Sequence, residues 1–312
     1  MDKIFINIAA YRDPLLVRTL QQAYHEADNP EALVFAIAMQ YEAQIYPDLS
    51  FIPKEQLRII NYIPGDQPGV TRIRYEITAS AYIDEKYFLM IDSHMLFHRG
   101  WDTWLKKSLQ GLGEKPVITG LGEIHNDTLS LSVCELVQGG VELAFTRKEF
   151  TVLIKQEEYG KFYRMPYIAC GFMFTYGSFV NEVGFDEFSQ FDGEEIYLTW
   201  KAFMSGWTIY QTSRWVINHS PENYYDDAWG GVDKRLYLRT GTEAIFKPYM
   251  TMMKSLAYVY NDYSHYAVKN ATRKPVDWFI ECGYTENDYK KILQHYDKLI
   301  HNNVTERDII LL

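Results

Sequence analysis

Tyr87-Phe88-Leu89-Met90-Ile91-Asp92-Ser93-His94 sets five apolar residues directly against an acid, a hydroxyl and an imidazole. The apolar run is short and rich in aromatic and branched side chains, so it reads as a buried strand. Asp92 and His94 follow it two positions apart, and residues so spaced in extended chain face one side. A carboxylate and an imidazole placed together can share a divalent cation. Asp-Ser also makes ordinary strand-end turns, so the surroundings have to choose between the two readings.

Working outward, residues 4–10, 32–39 and 57–63 are further short apolar runs bounded by turn residues. Between the runs lie helical spacings. Residues 14–27 follow Asp13, an N-cap type, with Pro14 at the first helical position. In 70–82, Ile73, Ile77 and Ala81 recur at spacing four, and 101–112 stops at Gly113. Alternating strands and helices predict an α/β fold with a mostly parallel sheet flanked by helices. Ligands bind such sheets beyond the carboxyl ends of the strands, and Asp92-Ser93-His94 stands at one. Past residue 115 the expected strands are 117–120, 129–136, 151–154, 168–174, 209–211 and 215–218, with a helix over 194–205. From about 224 the chain reads as helical, polar and Tyr-rich. Helices are expected over 244–260 and 288–300, the latter opened by Thr285 with an acid at Asp288.

The chain has 312 residues and a formal net charge of −10, which disfavours nucleic acid and acidic membranes as partners. The basic positions between Arg147 and Arg164 are interrupted by Glu149, Glu157 and Glu158. No apolar run reaches the ~20 residues of a membrane span. Cys134, Cys170 and Cys282 show no metal-ligand spacing, and with no evident signal peptide they predict a reducing, cytoplasmic setting. The 25 Tyr suit either sugar rings or a wet core, since each ring joins a flat apolar face to a hydroxyl.

Three further stretches could carry chemistry. In Gly69-Val70-Thr71-Arg72-Ile73-Arg74-Tyr75 the arginines lie on different helical faces. One can reach a ligand phosphate or base while the other pairs with a carboxylate, or both can be solvated. Phe191-Asp192-Gly193-Glu194-Glu195 brings three acids to a loop–helix junction. The helix dipole is a sufficient reason for acids there, and a Gly also permits close backbone approach to a ligand. Trp215-Val216-Ile217-Asn218-His219 is another strand ending on a histidine. His219 becomes a third metal ligand if its strand lies beside the Asp92 strand.

Taken together, residues 4–14 (IFINIAAYRDP), 69–75, Asp92-Ser93-His94 with Gly100-Trp101-Asp102, and 191–200 resemble the GlcNAc-transferase family. That family includes the cytoplasmic hydroxyproline GlcNAc-transferases. More remotely, the chain is similar to the polypeptide GalNAc-transferases, which share the Arg-x-Arg, Asp-Ser-His and Gly-Glu pattern in this order. The likeness covers roughly residues 4–245. It implies a GT-A fold, Rossmann-like with a mostly parallel central sheet, as a catalytic domain over 1–223 and a helical C-terminal extension over 224–312. It also implies a retaining, metal-dependent transfer from a UDP-sugar.

Carried over, Asp92, His94 and His219 hold Mn²⁺ or Mg²⁺. Ala9, Tyr11, Arg12, Asp13, Arg72 and Ser93 surround the nucleotide, and Asp192, Glu194 and Glu195 face sugar and acceptor. Phe191-Asp192 stands where relatives often carry an aromatic or Gly pair. The implied partners are a nucleotide sugar and a hydroxyl on a protein or glycan, with a hydroxylated nucleic-acid base ranked behind. A glycoside hydrolase also needs paired carboxylates, but has no use for the Asp/His/His set. A non-catalytic sugar-binding protein explains the aromatics. Three roles are open to the C-terminal helices: a packing extension, an acceptor wall or a homo-oligomer contact.

Overall fold

The computed structural model describes residues 2–63, 69–120, 124–125, 128–139, 142–153, 155, 157, 159–185, 194–214, 216–220, 271–291 and 294. The chain opens with β1 (Ile4–Tyr11), α1 (Leu16–His25), β2 (Leu33–Gln40), β3 (Leu57–Asn61), α2 (Val70–Ala81), β4 (Tyr87–Ile91), β5 (Met95–Phe97), α3 (Trp101–Gly111) and β6 (Pro116–Thr119). It continues with β7 (Ile124–His125), β8 (Thr128–Gly139), β9 (Glu142–Leu153), β10 (Phe162–Arg164), β11 (Phe172–Tyr176) and α4 (Ser178–Glu182). Then come α5 (Glu194–Met204), β12 (Thr208–Thr212), β13 (Ile217–His219) and α6 (Pro275–Glu281).

Among the described residues, eight strands form one sheet in the order β10-β12-β6-β11-β4-β1-β2-β3. The β3-β2-β1-β4 half is parallel throughout, with Ile8 of β1 level with Ile91 of β4. This is the expected arrangement, and every residue of β2 and β4 is buried. The other half is mixed: β11 runs antiparallel to both β4 and β6.

Alternation along the strands builds two cores. Ile4, Ile6 and Ile8 face Leu16 and Leu20 of α1 and Trp101, Leu105 and Leu109 of α3. Phe5, Phe88 and Met90 face Ile73, Ile77 and Ala81 of α2 and Leu198 and Ala202 of α5. Burial on both faces is what lets strands this apolar sit in water. The Gly100-Trp101-Asp102 stretch is part of this scaffold. Gly100 takes a left-handed φ of 71°, and the buried Asp102 accepts the backbone N–H groups of Asp28 and Asn29. Trp101 Nε1 donates to the carbonyl of Ala23.

The strands expected at 129–136 and 151–154 are one long hairpin, β8–β9, paired from Thr128↔Leu153 to Gly139↔Glu142. Buried Gln211 of β12 bonds both the N–H and the carbonyl of Ser132 and so fastens that hairpin to the main sheet. In the C-terminal part, Arg273 donates to the carbonyls of Phe203, Gly206 and Trp207, which brings α6 against the end of α5. Thr285 and Asp288 form the expected reciprocal cap of a helix over residues 286–291. The helix expected over 244–260 lies outside the described residues, as does all of 288–300 except 288–291 and 294. No helix among the described residues is long and apolar enough to cross a membrane.

Candidate active site

β4 ends at Ile91, and the chain leaves the sheet with Asp92 donating its N–H to the carbonyl of Gly171 at 3.2 Å. Asp92-Ser93-His94 forms the turn into β5. That strand pairs antiparallel with β13, so His219 is level with Met95, and Ser220 N–H donates to the carbonyl of His94. From sequence, His219 joined the set only on the condition that its strand lay beside β4. It lies instead beside β5, because β1 and β11 already occupy both edges of β4. The β5–β13 ribbon nevertheless holds His219 against His94.

The two imidazoles meet edge to face, with Nε2 atoms 2.9 Å apart. Asp92 Oδ2 lies 3.8 Å from His219 Nε2. One donor atom from each of Asp92, His94 and His219 falls within 4.8 Å of the others. Donors held about 2 Å from a common ion at right angles lie about 3 Å apart, so this spacing fits a shared cation. Two nitrogens and a carboxylate oxygen are also a donor set that Mn²⁺ accepts.

Asp92 and His94 are held from behind. Asp92 Oδ1 accepts from Arg74 Nη2 at 2.8 Å, and Gly171 packs so close that a Cβ there would sit 2.9 Å from Asp92 Oδ2. His94 Nδ1 lies 2.7 Å from Asp13 Oδ2, which also accepts from Ser93 Oγ at 2.6 Å. Asp13 Oδ1 accepts the N–H of Leu15. Burial pushes the Asp13 carboxyl up, but the hydrogen bonds from His94, Ser93 and Leu15 outweigh it and hold it below its ordinary range. Burial pushes His94 down, and Asp13 and Asp92 together bring it above its ordinary value.

On the far side of Asp92, Arg74 is 2% exposed and also donates through Nη1 to Glu194 at 2.9 Å. Burial disfavours its charge, but Glu194 and Asp92 reverse the effect and raise its pKa. Glu194 opens α5 and also accepts from Thr71. Burial pushes its carboxyl up to about 7, against the pull of Arg74.

With this geometry established, likeness to known proteins can be read. A family model described as glycosyltransferase (GlcNAc) matches residues 3–51 and 46–239. The chain belongs to the GlcNAc glycosyltransferase family. No curated protein matches it. A crystal structure of GalNAc-T7 with UDP, GalNAc and Mn²⁺ superposes with a TM-score of 0.57 at 14% identity, over 96% of this chain and 58% of that one. The chain thus spans little more than half the length of that protein. The shared element is the fold, GT-A.

Within this family member, the remaining expected residues separate into groups. Arg12 leaves β1 in the left-handed region, φ 49°, and pairs with Glu42. A non-Gly residue there is uncommon and marks a built turn; it swings the following Asp13 inward beneath the Asp92–His94 turn. Tyr11 lies under the Arg12 guanidinium, and Ala9 is in β1, half-buried. Arg72 is on the outer face of α2 and pairs with Glu76 at 2.8 Å. It is Arg74, not Arg72, that contacts Asp92. Glu195 accepts from the hydroxyl of Tyr167 and the N–H of Cys170, so it braces the segment leading into β11. Asp192 lies outside the described residues. Gly171, Thr71 and Tyr167 were not singled out from sequence. Gly171 alone carried a signal there, as a glycine inside an apolar strand-like run.

Proposed function

We propose that this chain is a metal-dependent, retaining glycosyltransferase that moves a GlcNAc-like sugar from a UDP-sugar to a hydroxyl on a protein or glycan. The observation carrying this reading is the convergence of Asp92, His94 and His219 at the carboxyl end of β4, beside the acidic start of α5, in a chain of this family. Asp92 Oδ2 and the Nε2 atoms of both histidines would hold Mn²⁺. When bound, that ion supplies positive charge against the diphosphate as negative charge develops on the leaving group.

The chain's own groups do the rest. Arg74 and Asp13 fix the ligands. Arg12, Tyr11, Ala9 and Arg72 bound the nucleotide side, Arg72 from a surface ion pair that is cheap to exchange for a phosphate. The transfer breaks the bond between sugar C1 and the β-phosphate oxygen and forms one from C1 to the acceptor oxygen, on the same face. The acceptor proton leaves with UDP. Of the three acids carried over, Glu195 is committed to Tyr167 and Cys170. Glu194 is likewise engaged, by Arg74 and Thr71, which leaves Asp192 as the carboxylate proposed to face the sugar. The catalytic domain is proposed to end near 223, with 224–312 as a C-terminal extension; among the extension's described residues, Arg273 contacts the end of α5. Free Cys170 and Cys282 support a reducing, cytoplasmic setting.

A panel of UDP-sugars with Mn²⁺, scored for UDP release with and without hydroxyl acceptors, tests the reading. Release with one donor, lost in EDTA, is the expected result. Full turnover in excess EDTA, or hydrolysis of simple glycosides without nucleotide, overturns it.

A further inference from the structure

We propose that Asp13 is a positioning residue: its carboxylate fixes His94 in the tautomer that leaves Nε2 bare for the cation. This rests on the metal reading above and assigns Asp13 a task other than touching the nucleotide.

Asp13 is 8% exposed and its oxygens are already engaged. Oδ1 takes the Leu15 N–H, and Oδ2 takes the Ser93 hydroxyl at 2.6 Å and faces His94 Nδ1 at 2.7 Å. An ionised carboxylate only accepts, so the proton in the last contact belongs to His94 Nδ1. A neutral ring with Nδ1–H has a bare Nε2, and Nε2 is the atom aimed at His219 Nε2 and the cluster. Metal-bound histidines commonly have their second nitrogen held this way.

The backbone is built to deliver the carboxylate. The left-handed Arg12 turns the chain inward, and the carbonyl of Asp13 accepts from the Tyr41 hydroxyl at 2.8 Å and the Leu16 N–H at 3.3 Å. Asp13 is thus clamped through main chain and side chain together. With both oxygens turned to these donors, it presents its charge to His94 and Ser93, not to a ligand above them.

Asp13→Asn is the informative change, because one carbonyl oxygen cannot serve both sides. If it keeps the Leu15 N–H, the amide NH₂ faces His94 Nδ1 and drives the proton to Nε2. The full-length protein is titrated with Mn²⁺ by electron paramagnetic resonance, and ring ¹⁵N shifts of His94 are recorded at alkaline pH. In wild type, His94 is expected as the Nδ1–H tautomer. In Asp13→Asn the Mn²⁺ dissociation constant is expected to rise by about tenfold to a hundredfold, with His94 moved toward Nε2–H. In a His94→Gln background the same change is expected to have little further effect. Unchanged Mn²⁺ affinity and ¹⁵N shifts in folded Asp13→Asn overturn the proposal. So does a wild-type His94 protonated at Nε2, a result that needs no variant to fold. Absence of Mn²⁺ binding to wild type overturns the metal reading itself, and Asp13's role with it.

Discussion

On one side of the Asp92–His94 turn, Arg74 closes an ion-pair chain: Asp92 at 2.8 Å, then Glu194 at 2.9 Å, with Thr71 behind. On the other side, Asp13 closes on His94 Nδ1 at 2.7 Å, and beyond His94 two imidazole nitrogens face each other at 2.9 Å. The first flank sets opposite charges together. The second spends its carboxylate behind the ring and leaves like atoms in contact in front. Nitrogens so placed can share one proton, or both can donate lone pairs to an ion between them. On the proposed reading, the difference separates a flank that holds a carboxylate still from one that receives a cation.

Breaking the receiving flank has the largest expected effect. His219→Ala removes a ligand without touching either ion pair. It is expected to lower kcat/KM by at least about a thousandfold, the scale of several kcal/mol of lost charge stabilisation. The thermal midpoint of the metal-free protein should change little. Donor turnover with a Mn²⁺ titration checks the first part, and a melt in EDTA the second. Normal turnover in His219→Ala would dissolve the distinction between the flanks.

The holding flank fails differently. Arg74→Met leaves Glu194 and Asp92 facing each other without a cation. Orphaning a buried charge costs about 3–5 kcal/mol, and the low end applies because Asp92 is partly open to water. Urea unfolding reads this directly. A loss below about 1 kcal/mol would mean the Arg74 chain contributes little to holding Asp92.

A quieter test of the same flank uses pH. The Glu194 pKa is raised from 4.5 to about 7, burial being the chief cause. A raised folded value means the protonated acid favours the native state. That stability is fully present below about pH 4.5 and is lost as pH rises through about 7. By linkage it amounts to at most about 3 kcal/mol. In EDTA, wild type should lose stability across this window relative to Glu194→Gln, whose curve lacks the contribution. Parallel curves would show that Glu194 titrates normally.

Much of this contrast was legible in the sequence. The end of β4 and the Asp-x-His step needed only a short apolar run and a period of two. His219 was placed by type, as a histidine closing a strand, although its neighbour is β5 and not β4. From the residues alone the roles of Arg72 and Arg74 stayed open, and the resemblance assigned Arg72 to the nucleotide; helical phase distinguishes the two. At about 100° per residue, Arg74 falls about 60° from the centre of the Ile73/Ile77/Ala81 face and Arg72 about 140°. What sequence could not give was long-range: Gly171 against Asp92, Tyr167 and Cys170 on Glu195, and Asp13 beneath His94. These contacts span up to 81 positions and depend on the antiparallel entry of β11 and the inward turn at Arg12, neither of which has a periodic signature.

The smallest expected stability effect belongs to the arginine that the helical phase puts outside. Arg72 has a side chain 55% exposed and meets Glu76 one turn along α2. Such pairs contribute about 0.3–0.5 kcal/mol and are screened by salt. Arg72→Ala should therefore shift urea unfolding by no more than about 0.5 kcal/mol, several-fold less than Arg74→Met. Its proposed work lies with the nucleotide, so the same variant should bind UDP with Mn²⁺ about tenfold more weakly, as expected for one lost charge-assisted contact of about 1.5 kcal/mol. A calorimetric UDP titration beside the unfolding curve separates the two. Weaker UDP binding at unchanged stability makes Arg72 a ligand contact held loosely until needed. Unchanged binding returns it to the solvated face of α2 and leaves Arg74 the sole arginine of the motif that serves the site.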